Sequence, residues 1–280
     1  MTLTITDAHR ISFHEQGFAI IRQFIEPAFL KRLRRMADAG RELARQDRKM
    51  GFMDMRIAPQ RFASELDAAT YRTFVAQPAV QGAIKSLFGQ EFQFGFDTTR
   101  YPISYFPTCF YEPQLAPYTT HWHRDWRDNI LSSYPELMRR WHAMRDDPCL
   151  FNQVNIALYD DASTWFVPAS HNRDDLPEET EAIATAQPLL EMQRKVLKDD
   201  QDDWESLEYL CQDYCLAMPG AVSADLRAGD VVIYRNSLWH LGRYLPYRKR
   251  ATLHDAVMTH AFYQWFLDVQ KAAKAHAGAG

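Results

Sequence analysis

The stretch AGDVVIYRNSLWHLGRYLPYRKRATLH, residues 228–254, decides the fold. A Gly-Asp turn leads into the β-branched and aromatic run Asp230–Arg235, a second run covers Leu238–Leu241, and a third returns over Arg250–Met258. Short runs of this composition, bounded by Gly, Asn, Ser and Pro, read as successive strands. Further strands are expected upstream at Cys149–Tyr159 and Thr164–Pro168, and the aromatic segment from Glu91, broken by Pro102, Pro107, Pro113 and Pro117, reads as several more.

The first third of the chain has a different texture. A short helix capped by Thr6 or Asp7 and stopped at Gly17 precedes an apolar strand, Phe18–Phe24. An amphipathic helix follows, with Phe29, Leu30, Leu33, Met36 and Ala37 at helical spacing and Lys31, Arg32, Arg34 and Arg35 mostly on a solvated face. Leu66–Gln77 and Ala79–Phe88 read as two more helices, and another begins at Pro135. Residues 172–223 form an acidic helical insertion placed where it can fold over the mouth of the β-structure, and FYQWFLDVQKAAKAH forms a terminal helix. Helices first, then many short strands with one helical insertion, imply a mostly β domain with an N-terminal helical layer, a jelly roll occupying residues 1–280.

Composition narrows the function. With 46% hydrophobic and 24% charged residues and a net charge of −4, the chain has the make-up of a folded globular protein without a general basic surface. That argues against a nucleic-acid partner and for a small molecule. Cys109, Cys149, Cys211 and Cys215 lack disulfide-scaffold density and Cys-x-x-Cys spacing, so they read as reduced, buried thiols. The charged N-terminus and the lack of any 18-residue apolar run point to a cytoplasmic protein with no membrane association.

The chemistry is concentrated in two places. In Thr120–Trp126, THWHRDW, His123 and Asp125 lie two apart, which on a strand turns both side chains to one face. His240 follows much later, and Arg250 ten residues after it in Arg-Ala-Thr. Two neutral imidazoles and one carboxylate make the facial triad that suits iron(II), leaving positions for a chelating 2-oxo acid and dioxygen. A diacid chelated at its oxo end presents a distal carboxylate, for which Arg250 is a planar, charge-assisted partner. Thr252 shares its strand face and offers a hydroxyl to the same carboxylate. Gln153 and Asn155 alternate to one face of FNQVNIALYDD, where they serve either the co-substrate or a buried amide network.

His-x-Asp alone is a short and common pattern; the distal His with Arg-x-Thr gives it meaning. His121, two residues before His123, also permits a zinc hydrolase reading through His121, His123 and Asp125, and a non-catalytic jelly-roll binding protein is a third reading. His9, His14, His142 and His276 read as exposed helix residues; His254, which shares the Arg250 strand face, reads as site lining or, in preference, core packing, and His260 as core packing. Trp126, Arg127, Tyr101 and Tyr105 read as core or as pocket lining.

Four stretches in order resemble the phytanoyl-CoA dioxygenase family of iron(II)/2-oxoglutarate oxygenases: FHEQGFAIIRQFIEPAFLKRLR, THWHRDW, WFVPASH at Trp165–His171, and RAGDVVIYRNSLWH. The resemblance implies a cupin-like double-stranded β-helix, with His123, Asp125 and His240 on iron and Arg250 on 2-oxoglutarate. It also implies oxidation of a small metabolite or biosynthetic intermediate with release of succinate and carbon dioxide. Relatives with Ala or Gly at the acid position are halogenases, so Asp125 favours hydroxylation or another oxidation over halogenation. His171 is a turn residue of this pattern. Ala169 departs from it, since the family usually has Gly there, and the short turn before WFVPASH lacks the usual Asn-Gly.

Overall fold

The structure, a computed structural model, describes residues 3–46, 55–89, 91–95, 107–129, 131–147, 150, 152–199 and 204–277; Tyr101, Tyr105 and Cys149 fall outside these. Helix α1 (Asp7–Ile11) is capped by Thr6, whose hydroxyl accepts the His9 N–H. One π-helical turn, Ser12–Gln16, carries the chain to Gly17, where φ is +85° and a β-carbon would lie 2.6 Å from His171 Nδ1. Both facts call for glycine. Strand β1 (Phe18–Ile21) leads to helix α2 (Pro27–Gln46), which buries Leu33, Met36, Ala37, Gly40 and Ala44.

Strand β2 (Arg56–Ile57) and helix α3 (Pro59–Glu65) were not anticipated from the sequence; helices α4 (Ala68–Val75) and α5 (Pro78–Phe88) were. Strands β3 (Phe92–Phe94), β4 (Thr108–Tyr111) and β5 (Tyr118–Thr119) precede helix α6 (Pro135–Met144). Strands β6 (Gln153–Ala157) and β7 (Thr164–Phe166) come next. The insertion supplies helices α7 (Pro177–Ala184), α8 (Gln187–Asp199) and α9 (Trp204–Ala217). Strands β8 (Val222–Ser223), β9 (Val231–Tyr234), β10 (His240–Tyr244), β11 (Ala251–Asp255) and β12 (Val257–Thr259) end at helix α10 (His260–Ala277).

All pairings are antiparallel. A six-stranded sheet runs β1-β9-β6-β11-β4-β2, a four-stranded sheet runs β5-β10-β7-β8, and β12 pairs with β3. Strand periodicity sorts the side chains into layers. Val154, Ile156, Val231, Ile233 and Leu253 leave the large sheet toward the N-terminal helices and share a core with Leu33, Phe62, Phe74 and Ile84. The opposite face brings Ala157, Val232 and Tyr234 against Phe166 of the small sheet, with Phe18 stacked on Phe166 at 4.9 Å. Each fully buried aliphatic or aromatic side chain in these layers contributes roughly 1.5–3 kcal/mol of transfer free energy.

The insertion lies against the outer side of the small sheet. Its Ala182, Leu189, Leu207, Cys211 and Tyr214 pack on Trp122, Trp165, Val167, Trp239 and Leu241, the outward residues of the small sheet. The strands present alternate large apolar residues on their outer side, which the helices bury, and α9 also reaches the pocket at Arg250, where Glu208 accepts from Arg243 at 3.2 Å. Helices α6 and α10 form a fourth cluster around Trp141 and Trp265, into which Trp126 inserts edge-on to Phe262. No helix among the described residues is long and apolar enough to cross a membrane.

The segment after β5 does not continue as a regular strand. Tyr118 lies opposite Tyr244 and Thr119 opposite Arg243, and the Thr120 N–H reaches Gly242 O at 2.9 Å. The next pair, however, is His123 with His240, hydrogen-bonded in both directions at 3.1 Å. Two residues, His121 and Trp122, therefore face one, Leu241: a β-bulge. Asp125 lies in the turn that follows, its N–H donating to Asn236 O at 2.8 Å, and Trp126 takes a φ of +69°.

Candidate functional site

The bulge sets His123 directly opposite His240, so both rings point between the sheets and their centroids are 4.3 Å apart. Each ring is steered by the backbone two residues before it: His123 Nδ1 contacts His121 O at 2.7 Å, and His240 Nδ1 contacts Leu238 O at 2.8 Å. A carbonyl can only accept, so Nδ1 carries the proton and Nε2 offers its lone pair to the site. Asp125 comes from the turn, not from a strand as the spacing suggested, and closes the triangle: Oδ1 is 3.5 Å from His123 Nε2 and Oδ2 is 3.6 Å from His240 Nε2. The Asn129 amide donates to Asp125 Oδ1 at 2.9 Å. In the metal-free site burial would raise the Asp125 carboxyl, while a further proton taken up by the facing His123 and His240 rings outweighs it and holds the carboxyl well below the usual carboxylate range.

Among the described residues, His123, Asp125 and His240 are the one group of three or more ligating side chains, with donor atoms within 4.8 Å of one another. Two imidazole nitrogens and a carboxylate oxygen on one side of a point are the donor set of a facial triad, and each imidazole carries the backbone support that metal-binding histidines require. His121 is not in the group; it is exposed, and its carbonyl orients His123. Between the two histidine-flanking tryptophans, Arg124 is fully buried and ties the segment down, donating to Ser170 O and to Ser237 O and meeting Asp175. Arg127 pairs with Asp128 and Asp175 and lies over Trp239, so it braces the same segment.

Arg250 precedes β11 and is buried. Its N–H donates to Glu112 Oε2 at 2.8 Å, its Nε to Asp161 Oδ2 at 3.2 Å, and its guanidinium lies 4.7 Å from the Tyr244 ring centroid. Nη1 and Nη2 are buried without a hydrogen-bond partner. Arg250, Tyr244, Arg243, Ser163 and Asp161 line a pocket of about 340 Å³. Two parallel N–H groups buried in this way match a carboxylate. Thr252 donates its hydroxyl to Asp161 Oδ2 at 3.0 Å, so the sequence-predicted role of Thr252 is taken up by an internal carboxylate. Burial would raise the Asp161 carboxyl, but the Arg250 charge and bonds from Ser163 and Thr252 hold it low.

Gln153 and Asn155 face the same inter-sheet space. Gln153 accepts from the Tyr234 hydroxyl at 2.6 Å and meets His254 Nδ1 at 2.8 Å; the Asn155 amide donates to Thr164 Oγ1 at 3.4 Å and its oxygen is buried without a partner. His171 is fully buried beside the Gly17 turn, with Nε2 on His14 O at 3.2 Å, and burial lowers its pKa to about 4. His14 and His142 are exposed and His9 is half-buried, whereas His260, expected in the core, is exposed at the start of α10. Cys109, Cys211 and Cys215 are buried free thiols. Sequence reasoning missed Asp161 and Arg124. Nothing in DDASTWF distinguishes Asp161 from its neighbour Asp160, and Arg124 looks like an ordinary surface charge between two better-known residues.

Against known families, residues 13–243 match the one described as phytanoyl-CoA dioxygenase (PhyH). No curated protein matches the chain. Solved structures share the fold at low identity. AviO1 from Streptomyces viridochromogenes Tue57 is 15% identical with a TM-score of 0.54, over 92% of this chain and 98% of that one. EctD from S. alaskensis, solved with 2-oxoglutarate and 5-hydroxyectoine, is 15% identical with a TM-score of 0.53, over 91% and 76%. The epimerase SnoN, solved with Fe3+, alpha ketoglutarate and nogalamycin RO, is 13% identical with a TM-score of 0.52, over 90% and 82%. With the family pattern matched from the π-helical turn through β10, this chain belongs to the phytanoyl-CoA dioxygenase family.

Proposed function

We propose that the protein is an iron(II)- and 2-oxoglutarate-dependent oxygenase that hydroxylates an aliphatic carbon of a small metabolite or biosynthetic intermediate. On this reading residues 1–280 form one domain, and the two facing sheets are those of a jelly roll. The observation that carries the proposal is the convergence of His123 Nε2, His240 Nε2 and Asp125 within 4.8 Å, each imidazole pinned at Nδ1. These residues would hold iron(II), which, with a chelating 2-oxo acid and dioxygen, supplies oxidising power while 2-oxoglutarate becomes succinate and carbon dioxide. Arg250 holds the distal carboxylate through Nη1 and Nη2, and Asp161 keeps its guanidinium from rotating away. The inter-sheet apolar cluster around Phe166 and Tyr234 keeps bulk water from the triad.

Asp125, which fills the position that a halide-binding relative leaves to a small residue, supports hydroxylation or another oxidation over halogenation. The neighbours named above work in different ways, one an epimerase, so the support for hydroxylation lies in this chain's own residues. A zinc hydrolase built on His121 is disfavoured by the exposure of that side chain. The deciding experiment is anaerobic titration of metal-free protein with iron(II) and then 2-oxoglutarate. A weak visible metal-to-ligand band that vanishes in Asp125→Ala is expected. A protein that takes up iron without the band, or that prefers zinc and shows no succinate formation, would sink the proposal.

A further inference from the structure

Beyond the triad and Arg250, one buried ring on the inner face carries an unmatched nitrogen. His254 lies on β11, opposite Asn155 on β6 and Thr108 on β4, and two and four residues beyond Thr252 and Arg250. Strand periodicity puts all three side chains on the face that looks toward the small sheet. The ring rests on Phe110, centroids 4.3 Å apart, and is 8% exposed. Burial and the Arg250 charge lower its pKa to about 3, so the ring is neutral.

A short relay fixes its tautomer. The Tyr234 hydroxyl donates to Gln153 Oε1 at 2.6 Å, which leaves the Gln153 amide nitrogen to donate to His254 Nδ1 at 2.8 Å. Nδ1 is therefore the acceptor, and the proton of the neutral ring sits on Nε2. That Nε2 is buried with no partner. A donor withheld from both water and protein acceptors is unfavourable unless something else satisfies it. The charged and titratable groups acting on the ring are Arg250, Asp161, Asp125 and His240, which belong to the anion anchor and the triad. The far end of the relay touches the metal site, since the Tyr234 ring lies 5.3 Å from that of His240.

We propose that His254 is a co-substrate-binding residue whose Nε2–H donates to a carboxylate oxygen of the bound 2-oxo acid. This rests on the oxygenase reading above. The relay from Tyr234 through Gln153 then serves to hold the ring in the donating tautomer, and Gln153 is a positioning residue that acts through His254.

The test uses the full chain loaded with manganese(II), which permits binding without turnover, and calorimetric titration with 2-oxoglutarate. His254→Phe keeps the ring against Phe110 and removes the N–H; affinity should fall by roughly tenfold or more, with manganese affinity and thermal midpoint unchanged. His254→Gln, whose amide N–H reaches the Nε2 position, should recover most of the loss. In ¹⁵N-histidine-labelled wild type loaded instead with diamagnetic zinc(II), the His254 proton should be found on Nε2 and should shift and exchange more slowly on adding 2-oxoglutarate. A His254→Phe protein that binds 2-oxoglutarate like wild type, or a proton found on Nδ1, overturns this inference alone. Wild type that binds manganese but no 2-oxoglutarate overturns the oxygenase reading and this inference together. Should His254→Phe fail to fold, the labelled wild-type spectra decide.

Discussion

The two ends of the site are held in opposite ways. At the metal end, both imidazoles are oriented by neutral backbone carbonyls two residues away, so orientation is local and adds no charge of its own. At the anchor end, Arg250 is oriented by side chains distant in sequence: Asp161 on its guanidinium and Glu112 on its N–H. The first arrangement depends on two paired segments, the bulged one with its turn and β10. The second depends on three segments meeting correctly, and it carries a counter-charge that persists whether or not an anion is bound. Perturbing the metal end should therefore abolish ligand binding and spare the fold, whereas perturbing the anchor end should damage both.

The largest effect is expected at the metal end. Asp125→Ala or His240→Ala should weaken iron(II) binding by more than about 100-fold, beyond the loss usual for a supporting residue, with little change in thermal midpoint. Equilibrium dialysis and calorimetry on the same samples would check both halves. A large drop in stability there would erase the contrast.

Arg250→Ala should weaken 2-oxoglutarate binding by more than about 2 kcal/mol, roughly 30-fold. It should also cost about 3–5 kcal/mol of stability, because Asp161 is left buried without its cation. Urea unfolding of the metal-free protein separates the second effect from the first.

A third test uses two buried acids against each other. The folded Asp161 carboxyl is held low by Arg250, so its stabilisation is complete above about pH 4 and is lost as pH falls through the folded value. Asp255 differs. Burial raises it to about 7, against a bond from the Tyr71 hydroxyl, so its folded form favours the proton. Its contribution is complete below about pH 4 and is lost as pH rises toward 7. Unfolding free energies measured from pH 3 to pH 8 should lose their acid limb in Asp161→Asn and their decline between pH 4 and 7 in Asp255→Asn. Parallel curves for all three proteins would show that neither charge is coupled to folding.

The smallest effect concerns the turn behind the site. Ala169 takes a φ of +59°, the left-handed region that explains why relatives place glycine there, and its N–H donates to Gln16 O at 2.9 Å. Ala169→Gly should raise stability by up to about 1 kcal/mol, since relief of the side-chain clash is partly offset by the entropy of a freer unfolded chain. Differential scanning calorimetry resolves a change of that size, and a decrease would mean the methyl group packs usefully.

The three side chains proposed as ligands could be picked out in the sequence because the chemistry they would serve demands particular residue types in a particular order, and the strand pattern around His240 was strong enough to place it on a strand. The helical N-terminal layer was legible from the apolar periodicity of α2 and α5. The rest depended on relations that periodicity does not encode. An extra residue between Thr119 and His123 leaves the same letters in the same order as a straight strand would. Asp161 is one of two adjacent aspartates, and only the closed structure shows which of them faces Arg250. The insertion was recognisable as helical, but its destination depended on the outward Trp165 of β7 and Trp239 just before β10, whose face a one-dimensional pattern does not assign.

The bulge at His121–Trp122 has an arithmetic consequence. Continued without it, the register of β5 against β10 would set Trp122, not His123, opposite His240. The indole would then occupy the interior and the imidazole would be turned into the helical layer. Whether this scaffold presents a ligand or a hydrocarbon to its interior thus hinges on one surplus residue. For this chain, losing one residue at the bulge would displace His123 from its place opposite His240 as surely as substituting it.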